Sequence, residues 1–491
     1  MKKFLIVMLL ITMILSSFVA CADPNATNEK NPGTEGKEPE DPGETEDPGD
    51  KRVWYDQLPE KNFNDDSVVF AYFGTEDGSK EACSVLIRED DGDSVNSKMF
   101  DRNNQVMERF HIQLEGHHVA DGYLSQTIIP VLASGSDDYD VLVGYQYFDV
   151  ALAASGYLAN LSQYSDILRL EDASYWAGDY TKNINYKDHI YWTTGDITLN
   201  YIGNICCGFV NSALYKTYAE KEFGSIYEVV KNKEWTLENM SMMAENAYWD
   251  SNANDKPDDG DQFGYQISWG VEMAYAAGIN TSMRDENGDI SITINDDRTI
   301  DVMQLLNEIS KADYTTSNDT EDGQIKNFVE ERVMIYCRCL ATTETPAFRS
   351  METDYYIVPL PMGDESMEDY RSATATGTNI VGISNSSSKP ETAAFVMEAL
   401  CAESARTVIP TYYEGALKGR YTRDKESKEM IELVHNTVGV DFVNTWSFNY
   451  FDSYQFYLTF DASTVASRIK ANEVKWQTAL DGLLDTLSEL D

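Results

Sequence analysis

Short apolar runs alternate with helical stripes in the first third of the chain, and this alternation restricts the chain to few folds. Residues 67–73 are apolar and β-branched, as in a buried strand, and 112–114 and 138–144 have the same character. The two segments between these runs, 96–110 and 121–133, place apolar side chains at helical spacing. Strand, helix, strand, helix, strand predicts an α/β layer with parallel strands.

A second set of elements follows the first. Residues 189–196, 206–211 and 263–268 have the composition of strands, and Thr236 can cap a helix. Residues 285–289 carry Asn-Gly between polar residues, which predicts a hairpin turn. We therefore expect a second α/β lobe.

These patterns divide the chain into four parts. In chain order we expect a lipoprotein signal peptide (1–20), a disordered acidic tether (21–64), a first α/β lobe (65–185, with part of 340–400 returning to it) and a second lobe (186–335, with 400–491 completing it). An apolar stripe over 463–487 predicts a long helix that closes the chain.

The N-terminus has the pattern of a secretory signal. Lys2 and Lys3 precede an almost unbroken apolar stretch, and the chain turns polar directly after Cys21. Residues 18–21 (Phe-Val-Ala-Cys) resemble a bacterial lipobox, with Phe where Leu is usual. The resemblance implies cleavage before Cys21 and a diacylglycerol on its thiol. Plain secretion and an uncleaved anchor are the alternatives, since the stretch is at the short limit for a membrane span.

The segment after the signal cannot form a core. Residues 23–50 are rich in Glu, Asp, Pro and Gly and contain no large apolar side chain, so burial cannot offset the entropy of ordering them. A coil of this length spans roughly 30 Å. Its simplest use is as a tether between a lipidated Cys21 and a folded body.

The charge of the chain excludes some partners. The formal net charge is -45, and nucleic-acid affinity comes from Lys and Arg on phosphates. The same field disfavours adsorption to an anionic membrane surface. We therefore expect no nucleic acid as a partner, and contact with the membrane only through the lipid anchor.

Six cysteines remain after Cys21. They are Cys83, Cys206, Cys207, Cys337, Cys339 and Cys401. Most lie in apolar, strand-like runs, which favours buried free thiols. A disulfide and a metal site are the alternatives, although no Cys-x-x-Cys spacing is present.

An acidic loop is the strongest candidate metal site. Oxygen-bearing side chains occur at positions one, three, five, nine and twelve of residues 250–261, the spacing of an EF-hand Ca²⁺ loop. They are Asp250, Asn252, Asn254, Asp258 and Asp261. Asp255 stands at position six, where Gly is usual, and Asp261 is shorter than the usual Glu. Structural Ca²⁺ is the prediction, and an acidic surface turn is the alternative; no other cofactor is expected.

Several weak motifs occur together in one order. Six segments carry them: 208–215 (Gly-Phe-Val-Asn-Ser-Ala-Leu-Tyr), 233–239 (Lys-Glu-Trp-Thr-Leu-Glu-Asn), the acidic loop up to Gly264, 328–335 (Phe-Val-Glu-Glu-Arg-Val-Met-Ile), 356–361 (Tyr-Ile-Val-Pro-Leu-Pro) and 388–395 (Ser-Lys-Pro-Glu-Thr-Ala-Ala-Phe). Their order resembles that of the family 1 extracellular solute-binding proteins of ABC importers. Glu331 and Tyr356 stand where that family usually has Gly.

The resemblance implies a function as well as a fold. It implies two α/β lobes around a ligand cleft, in the manner of periplasmic binding proteins, and a membrane permease with its ATPase as partners. It also implies an extracytoplasmic, lipid-anchored protein that captures a solute, with a mono- or oligosaccharide expected, and that acts as a monomer. No catalytic residues are expected, because the common nucleophile, phosphate-loop and metalloprotease motifs are absent from the sequence. A surface-anchored carbohydrate-active enzyme is the alternative, and an adhesin is a third.

The cleft is expected where strands end. Ligands of α/β sheets sit beyond the carboxyl ends of strands, and aromatic rings offer flat apolar faces to sugars. Arg338 is a charge within a strand-like run, so its burial would require a partner. The residues predicted to line the cleft are Tyr72, Phe73, Tyr145, Trp192, Asp196, Trp269 and Arg338.

Overall fold

The computed structural model describes most of the chain from residue 53 onward. The described ranges are 53–73, 85–86, 92–120, 122–258, 260–267, 270–317, 320–417, 425–450 and 464–490. The expected signal peptide and most of the tether lie outside them, as do Cys21, Cys83 and Trp269. Within these ranges, no helix combines the length and the apolar character that a membrane crossing requires.

The described strands are short and distributed along the whole chain. In chain order they are β1 (Asp66–Phe73), β2 (Ile112–Ala120), β3 (Val141–Tyr145), β4 (Cys206–Asn211), β5 (Phe263–Gln266), β6 (Ser282–Arg284), β7 (Ile290–Ile292), β8 (Thr315–Thr316), β9 (Val333–Cys339), β10 (Tyr355–Val358), β11 (Ser372–Ala373), β12 (Asn379–Ile383) and β13 (Val438–Gly439).

The first sheet has the strand order β12-β3-β1-β2. Strand β1 is parallel to both β2 and β3, which confirms the predicted α/β layer. Strand β12 is antiparallel to β3, with Asn379 opposite Tyr145 and Ile383 opposite Val141. The chain therefore returns to the first sheet late in the sequence and completes its edge.

Helices cover both faces of this sheet. The helix Ser94–Phe110 begins at Asp93, whose carboxylate accepts hydrogen bonds from two backbone N–H groups, and ends at His111 in the left-handed conformation (φ 50°). The helix Pro390–Glu403 is buried along most of its length, and its Phe395 ring lies 4.9 Å from the Phe110 ring.

The second sheet has the order β10-β4-β9-β5-β8. Strand β9 is central and buried at every residue; it is antiparallel to β4 and parallel to β5. A continuous apolar strand of this kind suits a sheet covered on both faces. Four rings, Phe209, Phe328, Phe348 and Tyr355, pack against one another beside it.

Local sequence signals place several elements of the second lobe. Thr236 caps the helix Leu237–Asn246, since its hydroxyl accepts a hydrogen bond from Asn239 N. Strands β6 and β7 form the expected hairpin, with Gly288 at φ 82° in its turn. The closing helix runs over Val465–Glu489. These three predictions are confirmed.

The other described helices are mostly short. They are Val53–Asp56, Ser125–Ala133, Gln146–Asp149, Ala151–Ala154, Gly178–Ile184, Leu199–Gly203, Ser212–Tyr218, Glu220–Phe223, Ile226–Lys231, Gly270–Ala276, Asp297–Lys311, Glu321–Val329, Pro346–Ser350, Ile409–Leu417, Lys425–Asn436 and Phe442–Tyr450, with single turns at Leu161–Tyr164, Leu340–Glu344 and Ser404–Val408.

Two segments, around 200–204 and 375–379, cross between the sheets side by side. Ala375 N donates to Asn204 O at 2.8 Å, and Asn379 N donates to Asn200 Oδ1 at 2.7 Å. Strand β11 pairs in parallel with β13, so a third stretch of chain lies next to them. Both sheets belong to one compact unit, Lys51–Asp491.

The prediction of a strand at 189–196 is wrong. The segment makes only isolated bridges, among them Thr193 with Val381, and lies against the first sheet. No ladder forms because the backbone of the segment pairs at single positions with Tyr186, Val381 and Trp176 in turn. Its threonine hydroxyls bond to neighbouring segments: Thr194 Oγ1 donates to Asn379 O at 2.8 Å, and Thr193 Oγ1 lies 2.8 Å from Thr181 Oγ1.

Candidate functional site

A cavity of about 40 Å³ lies between the two sheets. Gln146 and Tyr147 line it from the end of β3, and Glu272 and Tyr275 line it from the helix Gly270–Ala276. The crossing segment after β11 and the start of the helix Phe442–Tyr450 close its remaining sides. The cavity therefore touches both lobes and the chain that joins them.

A buried carboxylate organises the first-lobe wall. Asp149 accepts hydrogen bonds from Tyr145 N at 2.7 Å, Ser125 N at 2.7 Å and Leu124 N at 3.1 Å. Burial raises the pKa of this carboxyl, and the three N–H groups lower it. One side chain thus joins the end of β3 to the start of the helix Ser125–Ala133.

Tyr147, which lines the cavity, belongs to a cluster of aromatic rings behind it. Tyr145 lies 5.6 Å from Phe73 and 5.2 Å from Phe148, measured between ring centroids. Phe148 is stacked on Tyr123 at 4.1 Å, with an interplanar angle of 9°, and Tyr147 meets it edge-on. Four of these rings are half-buried and only Phe73 is buried. Such rings offer apolar surface that a ligand can cover.

The second-lobe wall presents a buried acid. Glu272 is 6% exposed, and Thr376 N donates a hydrogen bond to its carboxyl group. Burial raises the pKa of Glu272 to about 7, although the N–H groups and the Arg338 charge lower it. An acid with this pKa between two lobes marks a candidate functional site.

A stacked cation lies beside this acid. The Arg371 guanidinium carbon is 4.1 Å from the centroid of the Tyr275 ring, and its Nη1 donates to Asn280 Oδ1 at 2.8 Å. Stacking fixes the plane of the guanidinium, and with it the direction of its N–H groups.

Hydrogen bonds already join the lobes across the cavity. Gln146 Nε2 donates to Thr445 Oγ1 at 3.4 Å, and Tyr180 OH donates to Gln146 Oε1. Asp441 accepts from Ser282 N at 2.8 Å and from Asn444 N at 3.0 Å, and so fixes the start of the helix Phe442–Tyr450. The site is lined by amide, hydroxyl and carboxyl groups as well as by rings.

Three of the predicted cleft residues lie next to this site, although none of the three lines the cavity. Tyr145 and Phe73 belong to the aromatic cluster, and Arg338 is close enough to Glu272 to lower its pKa. Arg338 also forms an ion pair with Glu321 at 2.8 Å, which is the partner that its burial requires. Contact of these three residues with a ligand stays a prediction.

Three others lie elsewhere, and Trp269 falls outside the described residues. Trp192 is fully buried, and its Nε1 donates to Val150 O at 3.2 Å, so it is a core residue. Tyr72 points to the face of the sheet opposite Phe73, because side chains alternate along a strand, and it packs beside His118. Asp196 is buried near Tyr201 and Tyr413 and does not line the cavity.

Sequence reasoning missed most of the second-lobe wall. Glu272, Tyr275, Arg371 and Asp441 have no local motif, because their roles depend on contacts distant in sequence. One signal was available. The run of small and hydroxyl residues over 372–378 is unusual for a core, and it proves to be the crossing segment.

The acidic loop adopts a tight turn. Asp250 accepts hydrogen bonds from the N–H groups of Asn252, Asn254 and Asp255, and Asp258 accepts from both asparagine side chains at 2.8 and 2.7 Å. Asp255 has φ 56°, the left-handed conformation that an EF-hand obtains from Gly. In the part of the chain that the structure describes, no three His, Cys, Asp or Glu side chains are arranged to hold a metal ion.

Five of the cysteines are free thiols. Cys206, Cys207, Cys337, Cys339 and Cys401 are all buried and unpaired with one another. Burial raises the pKa of each thiol. The favoured prediction is confirmed for these five.

Comparison with known proteins supports the architecture. No family model matches the sequence, and no curated protein matches it. UspC from M. tuberculosis has a similar structure, with a TM-score of 0.52, 14% identity, and coverage of 84% of this chain and 100% of that chain.

Two further solved structures are similar. The ABC transporter associated binding protein from B. animalis subsp. lactis Bl-04, in complex with beta-1,6-galactobiose, has a TM-score of 0.51, 14% identity and coverage of 86% and 98%. UgpB from M. tuberculosis, in complex with glycerophosphocholine, has a TM-score of 0.50, 12% identity and coverage of 80% and 95%. At these identities the likeness shows the fold, and the predicted two-lobed fold of solute-binding proteins is confirmed.

Replacing Glu272 by Gln should change how stability depends on pH. The pKa of Glu272 is raised from 4.5 to about 7, so the folded protein binds this proton more tightly than the unfolded chain. The free energy of unfolding therefore falls as pH rises from 4.5 towards 7, by up to ~3 kcal/mol. A glutamine does not titrate, so Glu272→Gln does not lose stability as pH rises through this range. Its Tm should match that of the wild type near pH 5 and exceed it near pH 8.

Thermal melts across this pH range check the expectation. The exposed Glu286→Gln, which makes the same chemical change on the hairpin turn, should follow the wild-type curve. Identical pH dependence in Glu272→Gln and the wild type would show that Glu272 does not titrate in this window.

Proposed function

We propose that this chain is an extracytoplasmic solute-binding protein that captures a carbohydrate between its lobes and delivers it to an ABC permease. The fold shared with the solved binding proteins supports this proposal. The observation that carries it is the cavity that touches both lobes; at about 40 Å³ it is smaller than a sugar, so the lobes must separate to admit one. Gln146 and the half-buried Tyr147 line it on the first lobe, together with Glu272, Tyr275 and the threonines of the crossing segment, and the Arg371 guanidinium stacks on Tyr275.

A sugar matches a site lined by both aromatic rings and polar groups. Aromatic rings pack against the C–H faces of a polyol, while acids, amides and arginine bond its hydroxyl groups. A solute that touches Tyr147 on the first lobe and Tyr275 on the second stabilises the arrangement in which both walls meet it. Binding then shifts the population towards the closed form, which the permease would recognise.

The enzyme alternative is less well supported. A glycosidase requires two carboxyl groups that reach the scissile bond. Glu272 and Asp441 are the carboxyl groups lining the cavity, and both accept hydrogen bonds from backbone N–H groups. These bonds hold the protein's own backbone, so they assign neither carboxyl group to a scissile bond.

A ligand screen tests the function. A melting-shift screen over mono- and oligosaccharides, followed by calorimetry, should find a sugar that binds one to one and is recovered unchanged. Tyr147→Ala should weaken its binding about tenfold or more, since it removes one ring of the wall.

The control is Tyr218→Ala, which removes a similarly half-buried ring at the end of the helix Ser212–Tyr218, away from the cavity. It should leave the Kd unchanged. Cleavage of the sugar during the titration, or equal affinity in wild type and Tyr147→Ala, would contradict the proposal.

We further propose that the mature chain is anchored to the membrane through a lipid on Cys21. The support is the lipobox-like sequence at 18–21 and the acidic stretch after it. Cys21→Ala in the producing cell should either release the protein into the medium or leave an uncleaved precursor. Labelling with a palmitate analogue and fractionation read this out; a variant that is still labelled and membrane-bound would contradict the anchor.

We also propose that the loop of Asp250, Asn252, Asn254, Asp258 and Asp261 takes up Ca²⁺ as a structural ion. The oxygen spacing and the left-handed Asp255 support this. A ligand that binds only the folded state raises Tm by mass action. Tm should therefore fall in EDTA and recover with excess Ca²⁺, and Asp250→Ala should abolish the difference between the two conditions. An unchanged wild-type Tm would show an acidic turn without a metal.

A further inference from the structure

A second pocket, of about 300 Å³, adjoins the cleft. The two share Val440 and Asp441, and Arg371 lines the second pocket while its guanidinium stacks on Tyr275 of the first. A ligand that fills the cleft and extends past Tyr275 therefore enters this pocket.

The pocket is rich in positive charge. Lys182, Arg284 and Arg371 all line it, in a chain with 38 Lys and Arg residues against 83 Asp and Glu. On a surface of that composition, neighbouring cations are normally matched by acids. Three cations around one cavity are therefore a departure that needs a physical reason.

The two acids that line the pocket are occupied by backbone groups. Asp285 accepts hydrogen bonds from Asn287 N at 2.9 Å and Asp289 N at 2.8 Å, which hold the hairpin turn. Asp441 holds Ser282 and the start of the helix Phe442–Tyr450, and burial raises its pKa, which favours the neutral form. Asp285 is therefore committed to the turn, and Asp441, whose pKa the Arg371 charge lowers, offsets only part of the positive charge.

Arg284 is the clearest example of a cation in this pocket without a carboxylate partner among the residues that the structure describes. Its guanidinium donates to Asn185 O at 2.6 Å, Lys182 O at 3.0 Å and Gly288 O at 3.3 Å. These partners are carbonyl groups, and within the described residues no carboxylate forms an ion pair with it. Burial lowers the pKa of this arginine, as expected for a desolvated cation without a counter-charge.

Arg371 has the geometry of a recognition residue. Its Nη1 donates to the neutral Asn280 side chain, and Tyr275 supports one face of the guanidinium. A planar, supported guanidinium binds carboxylate, sulfate and phosphate groups through paired N–H donors.

We propose that this pocket is an anion subsite of the cleft, and that the captured carbohydrate carries a carboxylate, sulfate or phosphate ester group. The inference rests on the proposed function for the carbohydrate part of the ligand. The anionic part rests on the three cations and on the engagement of both acids. Arg371 is the residue that joins the two parts, because it lines this pocket and stacks on Tyr275 of the cleft.

Inorganic sulfate tests the subsite without knowledge of the sugar. Tm is measured while sulfate replaces chloride at constant ionic strength, in the wild type, Arg371→Gln and Lys187→Gln. Lys187→Gln removes the same charge from an exposed side chain that is already paired with Asp289 at 2.8 Å and does not line the pocket. The wild type and Lys187→Gln should show a saturable rise in Tm that Arg371→Gln lacks.

Matched oligosaccharide pairs then identify the anion. Trigalacturonate against its methyl ester tests a carboxylate, lactose sulfate against lactose a sulfate, and glucose 6-phosphate against glucose a phosphate, all by calorimetry. The charged member of at least one pair should bind about tenfold more tightly or better. This ratio should fall towards one in Arg371→Gln and stay at the wild-type value in Lys187→Gln.

The outcomes separate the two proposals. Equal Tm shifts in all three proteins, together with charged and neutral sugars that bind equally, would leave the binding function intact and overturn the anion subsite. A saturable, Arg371-dependent sulfate effect with no sugar bound would support the subsite and count against a carbohydrate. No effect of sulfate and no sugar bound would overturn both.

Discussion

The antiparallel pairing of β12 with β3 is the constraint on which the cleft depends. It places Asn379 opposite Tyr145, at the carboxyl end of β3. Because the crossing segment leads directly into β12, its threonines must lie over the end of the first sheet. There Thr374 and Thr376 meet the side of the cavity formed by Gln146. The aromatic wall and the crossing segment are thus brought together by one strand pairing.

The same constraint explains why ionisable groups are buried at the site. Glu272 on the second lobe receives its hydrogen bond from Thr376 N, so the segment that closes the first sheet also holds an acid of the second. Burying such a group costs free energy unless it is bonded or neutral. Raised pKa values at Glu272 and Asp441 indicate that part of this cost remains, as expected where a ligand completes the contacts.

The elements of the fold could be predicted because their signals are local. The apolar run of β4, the cap at Thr236 and the Asn-Gly turn before β7 each occupy a few consecutive residues. The strand predicted at 189–196 failed because its backbone pairs at single positions with three different segments and so forms no ladder. Sequence composition does not distinguish these two uses of an extended segment.

The site was harder to predict because it is assembled from distant segments. Tyr145 lies next to the cavity, in keeping with the rule that ligands lie beyond strand ends, and its contact with a ligand stays a prediction. Trp192 was misplaced because an indole among polar residues resembles a ligand wall, whereas its N–H is satisfied inside the core by Val150 O. Glu272 and Arg371 gave no signal, since their roles depend on Thr376 and Tyr275, which lie far from them in sequence.

The central claim is that one solute contacts both lobes at this cleft. Hydrogen–deuterium exchange with and without a saturating ligand from the screen tests it most directly. The account predicts added protection at Gln146–Asp149 on the first lobe and, together with it, at 374–376 and 440–445 on the other walls of the cavity. Protection confined to one lobe, or centred on the outer pocket that includes Phe100, Met107 and His117, would contradict it.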